Sequence, residues 1–204
     1  MQEFSVEYDL RRKKMIARRL LVKALKEWSP LFKNVVVACV PGNHGENRKN
    51  GKAFTTFGDN FDVSIFDEAA EIFQENPKYK HIKFVIPDND LWLTLDVSGT
   101  IIGLAHGHQF RTGGKYSHQK AVAWLSGQAF GMTEMGDADI LISGHFHHLF
   151  VVNEGKRTLM QCPSVDGGSD WFENMTGKSS YSGTLTFSIT PGKTQLPWDN
   201  LKVL

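Results

Sequence analysis

Apolar residues set the rhythm of the chain. Over residues 9–28, Ala17, Leu20, Leu21, Ala24, Leu25 and Trp28 recur every three or four positions, which predicts one face of an α-helix. Ser29-Pro30 predicts its end or a fresh turn, because a residue before proline avoids the helical region. The run Val35-Val36-Val37-Ala38-Cys39-Val40 is too short for a buried helix and rich in β-branched residues, so it predicts a buried, parallel strand. Residues 41–60 are polar, Gly-rich and long enough to predict a functional loop. Val63, Phe66, Ala69, Ala70 and Phe73 mark a second amphipathic helix over 62–73, with Asn60 or Asp62 as its N-cap.

Further along, strands are predicted at 81–86, 91–97 and 100–105, the last two joined by a hairpin turn at Ser98-Gly99. A Gly-bearing loop over 107–114 leads to a helix around 115–130. Strands at 139–143, 149–152, 158–162 and 184–190 complete the expected β content, and the loop 166–171 carries an aromatic residue suited to burial. Without internal repeats or low-complexity tracts, this mixture predicts a single α/β domain over 1–204.

Composition narrows the reading. A chain of 204 residues that is 41% hydrophobic and 22% charged can bury a sizeable core, which excludes wholesale disorder. With 23 Lys+Arg against 22 Asp+Glu the net charge is +1, which does not support a large nucleic-acid footprint. Arg11, Arg12, Lys14, Arg18, Lys23 and Lys26 on the first helix accordingly read as a solvated face in preference to a nucleic-acid contact. No apolar run approaches the roughly 18 residues of a membrane span, and Met1-Gln-Glu-Phe-Ser lacks a signal-peptide layout. The expectation is a cytoplasmic protein with no membrane partner. Cys39 and Cys162 sit beside strand-like residues and read as reduced core thiols.

Histidine is the residue whose distribution is unusual, since six of the 8 fall in three tight groups. Pro41-Gly42-Asn43-His44-Gly45-Glu46, His106-Gly107-His108-Gln109 and Gly144-His145-Phe146-His147-His148 each follow an apolar strand. Open α/β sheets gather their sites at that edge. A metal ion is the simplest reason to bring neutral imidazoles together, and an amide or carboxylate oxygen among them tilts the choice toward harder ions. In extended backbone, residues i and i+2 share a side, so His145 and His147 are expected to face one point, as are His106 and His108. His148 would face away as a supporting or packing residue. His81 and His118 belong to no group and read as surface or partly packed.

Gly42-Asn43-His44, then His106 after a strand, then Gly144-His145-Phe146-His147 resembles the second half of the calcineurin-like metallophosphoesterase signature. Within that family the likeness is nearest to phage proteins described as DNA-repair exonuclease-like metallophosphoesterases, through residues 40–50, 84–109 and 144–148. The resemblance implies a four-layer α/β/β/α sandwich and a metal-dependent phosphoester hydrolase whose dinuclear centre activates water. It implies Asn43, His106 and His145 as ligands of the second metal, His147 as a ligand of the first, and His44 as the group that protonates or stabilises the leaving oxygen. Manganese is the first expectation, with zinc, iron, nickel or magnesium as alternatives.

The chain departs from that signature. The family's Asp-x-His and Gly-Asp-x-x-Asp elements have no counterpart: before Gly42 the acidic residues are Glu3, Glu7, Asp9 and Glu27, and there is no histidine. Gly45 stands where the family usually has Asp or Glu, with Glu46 one position later. The expectation is an N-terminally incomplete domain lacking its first two strands, binding one ion or none alone and two when complete. Such a chain would have little phosphodiesterase activity until an N-terminal fragment joined it. Arg48, Lys49, His108 and Arg111, with Lys52 and Lys115, flank the motifs and are candidates for contact with a phosphodiester, nucleic acid first, or are solvated loop charges. Trp171 and Phe172 are candidates for base stacking or core packing. Two other functions fit the same residues: a catalytically impaired subunit or nucleic-acid-binding remnant, and a small-substrate phosphodiesterase acting on cyclic nucleotides.

Overall fold

The computed structural model describes residues 8–165, 174, 181–192 and 196–204. The loop 166–171 and the stacking candidates Trp171 and Phe172 lie outside the described residues. The chain divides into two compact units, 1–90 and 91–204, taken here in turn.

In the first unit, α1 (Leu10–Trp28) begins where the Asp9 carboxylate accepts a hydrogen bond from Arg12 N at 2.7 Å, satisfying a backbone donor that the first turn leaves open. Pro30 converts its end into a 3-10 turn over Ser29–Leu31. The helix packs on α2 (Phe61–Gln74), and Lys14 and Arg18 reach the carboxylate of Glu68 at 2.6 and 2.5 Å. Leu25, Phe73, Tyr79 and Ile82 form the core, with Leu21, Val22, Val35, Val37 and Phe84 against it. Phe73 meets Tyr79 edge to face, 4.9 Å between centroids, an arrangement the ring quadrupoles favour.

Two expectations need correcting in this unit. The apolar stripe of α1 is only partly used: Leu21, Val22 and Leu25 face the core, while Ala17 is exposed, Leu20 is 62% exposed and Trp28 59%. The stripe is broader than the surface offered by one helix and a narrow sheet. The second concerns β1 (Val35–Ala38), which pairs in parallel with β4 (Ile82–Val85), from Val35 with Ile82 to Ala38 with Val85. Its direction is as expected, but it is not buried on both faces. In this two-stranded sheet Val35 and Val37 turn to the core and Val36, pointing the other way, is 54% exposed. Cys39, just past the strand, is a free, buried thiol; burial chiefly, and then the charges of Asp67 and Asp62, push its pKa up to about 12.

The second unit is built on a five-stranded mixed sheet. The strands are β5 (Trp92–Val97), β6 (Thr100–Ala105), β7 (Ile140–Ser143), β8 (Phe150–Glu154) and β9 (Arg157–Gln161), in the order β5-β6-β7-β9-β8. β5 and β6 are antiparallel around Ser98 and Gly99, both with positive φ, as a two-residue hairpin turn requires. β6, β7 and β9 run parallel. Between β6 and β7 the helix α3 (Ser117–Phe130) supplies Ala121 and Leu125 to a core with Ala105, Phe110, Met135, Ala138, Leu141 and Leu159.

One hairpin and one later strand escape the sequence pattern. Arg48–Lys49 and Lys52–Ala53, β2 and β3, form a small hairpin across Asn50-Gly51 in the first unit. In the second, β10 (Leu185–Ile189) pairs with β11 (Trp198–Val203). β11 contains Asp199, Asn200 and Lys202, too polar for a periodic signal, and is tied down by Trp198 Nε1 donating to Thr158 Oγ1 at 2.9 Å. Among the described residues no helix is long and apolar enough to cross a membrane. The α/β class expected from the sequence holds.

Leu141 is 1% exposed at the centre of the β6-β7-β9 core. Leu141→Ala is expected to lower stability by about 2–5 kcal/mol, because a cavity opens where neighbours cannot collapse. Urea unfolding of the variant measures it; a loss below about 1 kcal/mol contradicts this assignment of the core.

Candidate functional site

Parallel pairing places the exits of β6 and β7 at one edge of the sheet of the second unit. Past the strands, Gly144 N donates to His106 O at 3.0 Å and Cys162 N to Ser143 O at 2.7 Å, so three chain exits leave side by side. The rings of His106, His108 and His145 gather there. Their centroids lie 5.5 Å (His106–His108), 5.2 Å (His106–His145) and 6.3 Å (His108–His145) apart. All three side chains are half-buried.

The loops are held by groups that carry no chemistry of their own. Gln109 accepts from Gly107 N at 3.0 Å and donates through Nε2 to Leu91 O at 3.2 Å. Phe110 drives the end of the same loop into the core against Trp124, with centroids 4.9 Å apart. At Gly107, beside Gly144 and His145 of the neighbouring loop, φ is 107°, a backbone conformation that favours glycine. Gln161 Nε2 donates to His148 O at 2.8 Å, and His148 Nδ1–H donates to Phe146 O at 2.9 Å. His148 thus supports the loop, as expected. His118 is stacked between Tyr116 and Phe150, and His81 Nε2–H donates to Ser29 O at 3.0 Å.

The alternation argument fails for His145 and His147. Their φ angles are 68° and 59°, in the left-handed region, where side chains do not alternate as on a strand. His145 still joins His106 and His108, brought there by the turn itself, whereas His147 is exposed.

In the first unit, Asn43 and His44 sit in a loop clamped to the start of α2. Gly42 N donates to Asp62 Oδ2 at 3.2 Å, Asn60 Nδ2 donates to Gly42 O at 2.9 Å, and Phe61 N donates to Gly45 O at 2.8 Å. Asn60 also caps α2, accepting from Asp62 N at 2.8 Å. The loop and the helix terminus are therefore one hydrogen-bonded structure, a role for Asn60 and Asp62 that capping preferences alone do not reveal. A Cβ on Gly45 would lie 2.1 Å from Asn60 Oδ1 and 2.8 Å from Asp62, so an acidic residue at that position would break the clamp. Glu46 is engaged by Arg48, whose Nε and Nη2 lie 2.9 and 2.8 Å from Glu46 Oε2. Lys49 and Lys52 face each other across the hairpin, and with Arg111 and Lys115 in the second unit they are exposed.

Whether these residues suit a metal ion is a matter of spacing and donor type. An imidazole nitrogen about 2.1 Å from a zinc-like ion, with ~1.1 Å more to the ring centre, sets two rings on one tetrahedral ion roughly 5 Å apart. Two of the three ring pairs meet that spacing. Yet among the described residues no group of three His, Cys, Asp or Glu is arranged to hold an ion. The fit is in donor type and spacing, without a closed ligand set.

No protein-family model and no curated protein matches the chain. Among solved structures it is similar to a single mutant of Vps29 from Entamoeba histolytica, with 17% identity over 84% of this chain and 76% of that one and a TM-score of 0.44. It is also similar to a conserved Streptococcus pneumoniae protein described as a predicted phosphoesterase, with 16% identity, coverage of 75% and 79%, and a TM-score of 0.35. An archaeal phosphodiesterase gives 13% identity, coverage of 88% and 74%, and a TM-score of 0.41. Likeness this weak transfers no residue role from one chain to another.

The clamp carries a titratable group. Burial raises the Asp62 pKa above the usual carboxylate range, against the lowering effects of the Gly42 N–H and of His44. A carboxyl whose pKa is higher folded than unfolded holds its proton more tightly in the native state. Its ionisation therefore opposes folding progressively as pH rises from the ordinary value through the raised one. Asp62→Asn keeps an acceptor for Gly42 N and removes that opposition. Its melting temperature relative to the unaltered protein is expected to rise as the pH is raised from about 3 through and beyond the ordinary carboxylate value of about 3.9; a pH-independent difference would contradict it.

Proposed function

We propose that the chain is a metal-dependent phosphoester hydrolase of phosphodiesterase type, or the imidazole-bearing part of one. The observation that carries this reading is the gathering of His106, His108 and His145 at the C-terminal edge of β6 and β7. A divalent ion, when bound, supplies charge for a phosphoryl group and lowers the pKa of a coordinated water. His106 and His145 are the ligands we assign to it, and to His108, beside both, we assign a hydrogen bond donated to a phosphate oxygen. On the resemblance alone, we assign Asn43 an amide-ligand role, His147 a role at a second ion, and His44 the protonation of the leaving oxygen.

Nucleic acid is the substrate class we favour. Lys49 and Lys52, like charges directly opposite on a two-stranded hairpin, repel each other, and a phosphate between them relieves that repulsion. Arg111 adds an exposed cation on the loop after His108. Manganese as the ion, a pair of ions in the complete centre, a phage-type nuclease and an N-terminal fragment bringing the missing carboxylates belong to the same proposal. A second reading, a catalytically impaired subunit or remnant, is favoured by the absence, among the described residues, of any group of three His, Cys, Asp or Glu arranged to hold an ion.

Calorimetric titration with manganese and with zinc separates the two. The hydrolase reading expects one ion per chain, bound roughly tenfold or more weakly in His106→Ala and in His145→Ala. His118→Ala, outside the cluster, should bind as the unaltered protein does. Failure of the unaltered chain to bind either ion would leave the remnant. Turnover of a bis-aryl phosphate by the chain alone, without an added N-terminal fragment, would overturn the expectation of an incomplete centre.

A further inference from the structure

Eight of the chain's 23 Lys and Arg lie on the 19 residues of α1, against one acidic residue, Glu27. The helix uses these cations in two ways. Lys14 and Arg18 turn inward to Glu68. Arg12, Arg19, Lys23 and Lys26 are all exposed, and their spacing of i, i+7, i+11 and i+14 confines them to an arc of roughly 60° at 3.6 residues per turn. They form a straight stripe of about 21 Å at 1.5 Å per residue.

Arg18, Arg19, Lys23 and Lys26 also line an open groove of about 490 Å³, with Val22, Glu27 and Ile72. Opposing charge in the groove is slight: Lys23 Nζ is 3.9 Å from Glu27 Oε1, with both side chains mostly in solvent. Arg12 lies over the ring of Tyr8, 4.4 Å from its centroid. Like charges at these spacings on one helix are mutually unfavourable in the isolated protein. A polyanion laid along the helix removes that penalty.

We infer that the exposed stripe Arg12-Arg19-Lys23-Lys26 on α1 is a docking surface for the phosphate backbone of a nucleic acid, independent of sequence. A linear array of cations matches a linear array of phosphates, and release of condensed counterions drives such binding. Contacts of this kind fix register and orientation without reading bases. An anionic membrane fits less well. The exposed apolar residues of α1, Leu10, Ala17, Leu20 and Trp28, lie roughly 130° around the helix from the stripe, so the face that carries the cations is itself polar, whereas a membrane-surface helix binds through its apolar face. The surface does not depend on the hydrolase reading, because no histidine of the cluster belongs to it.

Fluorescence anisotropy with a labelled 20-nucleotide DNA, single- and double-stranded, over a range of salt and in the presence of EDTA, tests the surface without any metal. The triple variant Arg19→Gln, Lys23→Gln, Lys26→Gln changes only exposed side chains, and circular dichroism checks its fold. Binding is expected to weaken roughly tenfold or more at low salt, and the slope of log K against log salt to fall by about 2–3, the share of three phosphate contacts. A second triple variant, Lys83→Gln, Lys156→Gln, Lys202→Gln, removes three exposed cations elsewhere and should leave the slope nearly unchanged. Equal losses in both variants, no loss in the first, or no DNA binding by the unaltered chain overturns the proposal. So does tighter binding to phosphatidylserine vesicles than to DNA. Failure of the unaltered chain to bind manganese or zinc, with DNA binding intact, would strike the hydrolase reading alone.

Discussion

Four residue pairs, from Ile102 with Ile140 to Ala105 with Ser143, hold β6 and β7 side by side and pointing the same way. Everything at the histidine cluster depends on that register. Shifted by one residue, every side chain of a strand would move to the other face, and Leu141 and Ala105 would leave the core. The register is fixed at both ends. Before the strands Asp139 Oδ2 accepts from Ile101 N at 2.8 Å, and after them Gly144 N continues the ladder to His106 O. Because the pairing is rigid where the loops emerge, the rings need only short turns to meet.

Elements with a strong period were legible in the sequence: α2, α3, the β5-β6 hairpin and β7 lie within a residue or two of where the apolar pattern puts them. So were the three histidine groups and their position after strands. What sequence could not supply was backbone conformation inside the loops. The alternation rule holds on a strand, and the chain leaves the strand region before it reaches His145. The clamp between the Asn43 loop and α2 was hidden for a different reason. Asn60 and Asp62 look like ordinary capping residues, and only three dimensions show that the same side chains also hold Gly42. β11 lacked a period altogether and is defined by its partner strand and the Trp198 hydrogen bond.

The first unit separates charge between its two helices. α1 is almost wholly basic, while α2 carries Asp62, Asp67, Glu68 and Glu71. Glu68 is where the two meet, and its pKa is lowered by its hydrogen bonds to Lys14 and Arg18. That junction satisfies only the inward cations. A net charge of +1 for the whole chain averages a basic helix against an acidic one, and so conceals the field that each presents locally.

The left-handed backbone at His145 and His147 sets fold against side chain. Residues with a Cβ adopt that conformation at about 1–2 kcal/mol each relative to glycine, and asparagine, aspartate and histidine accept it more readily than most. Glycine at either position would relax the turn without disturbing the sheet beneath it and would remove an imidazole, so backbone ease and side-chain chemistry pull in opposite directions at these two positions.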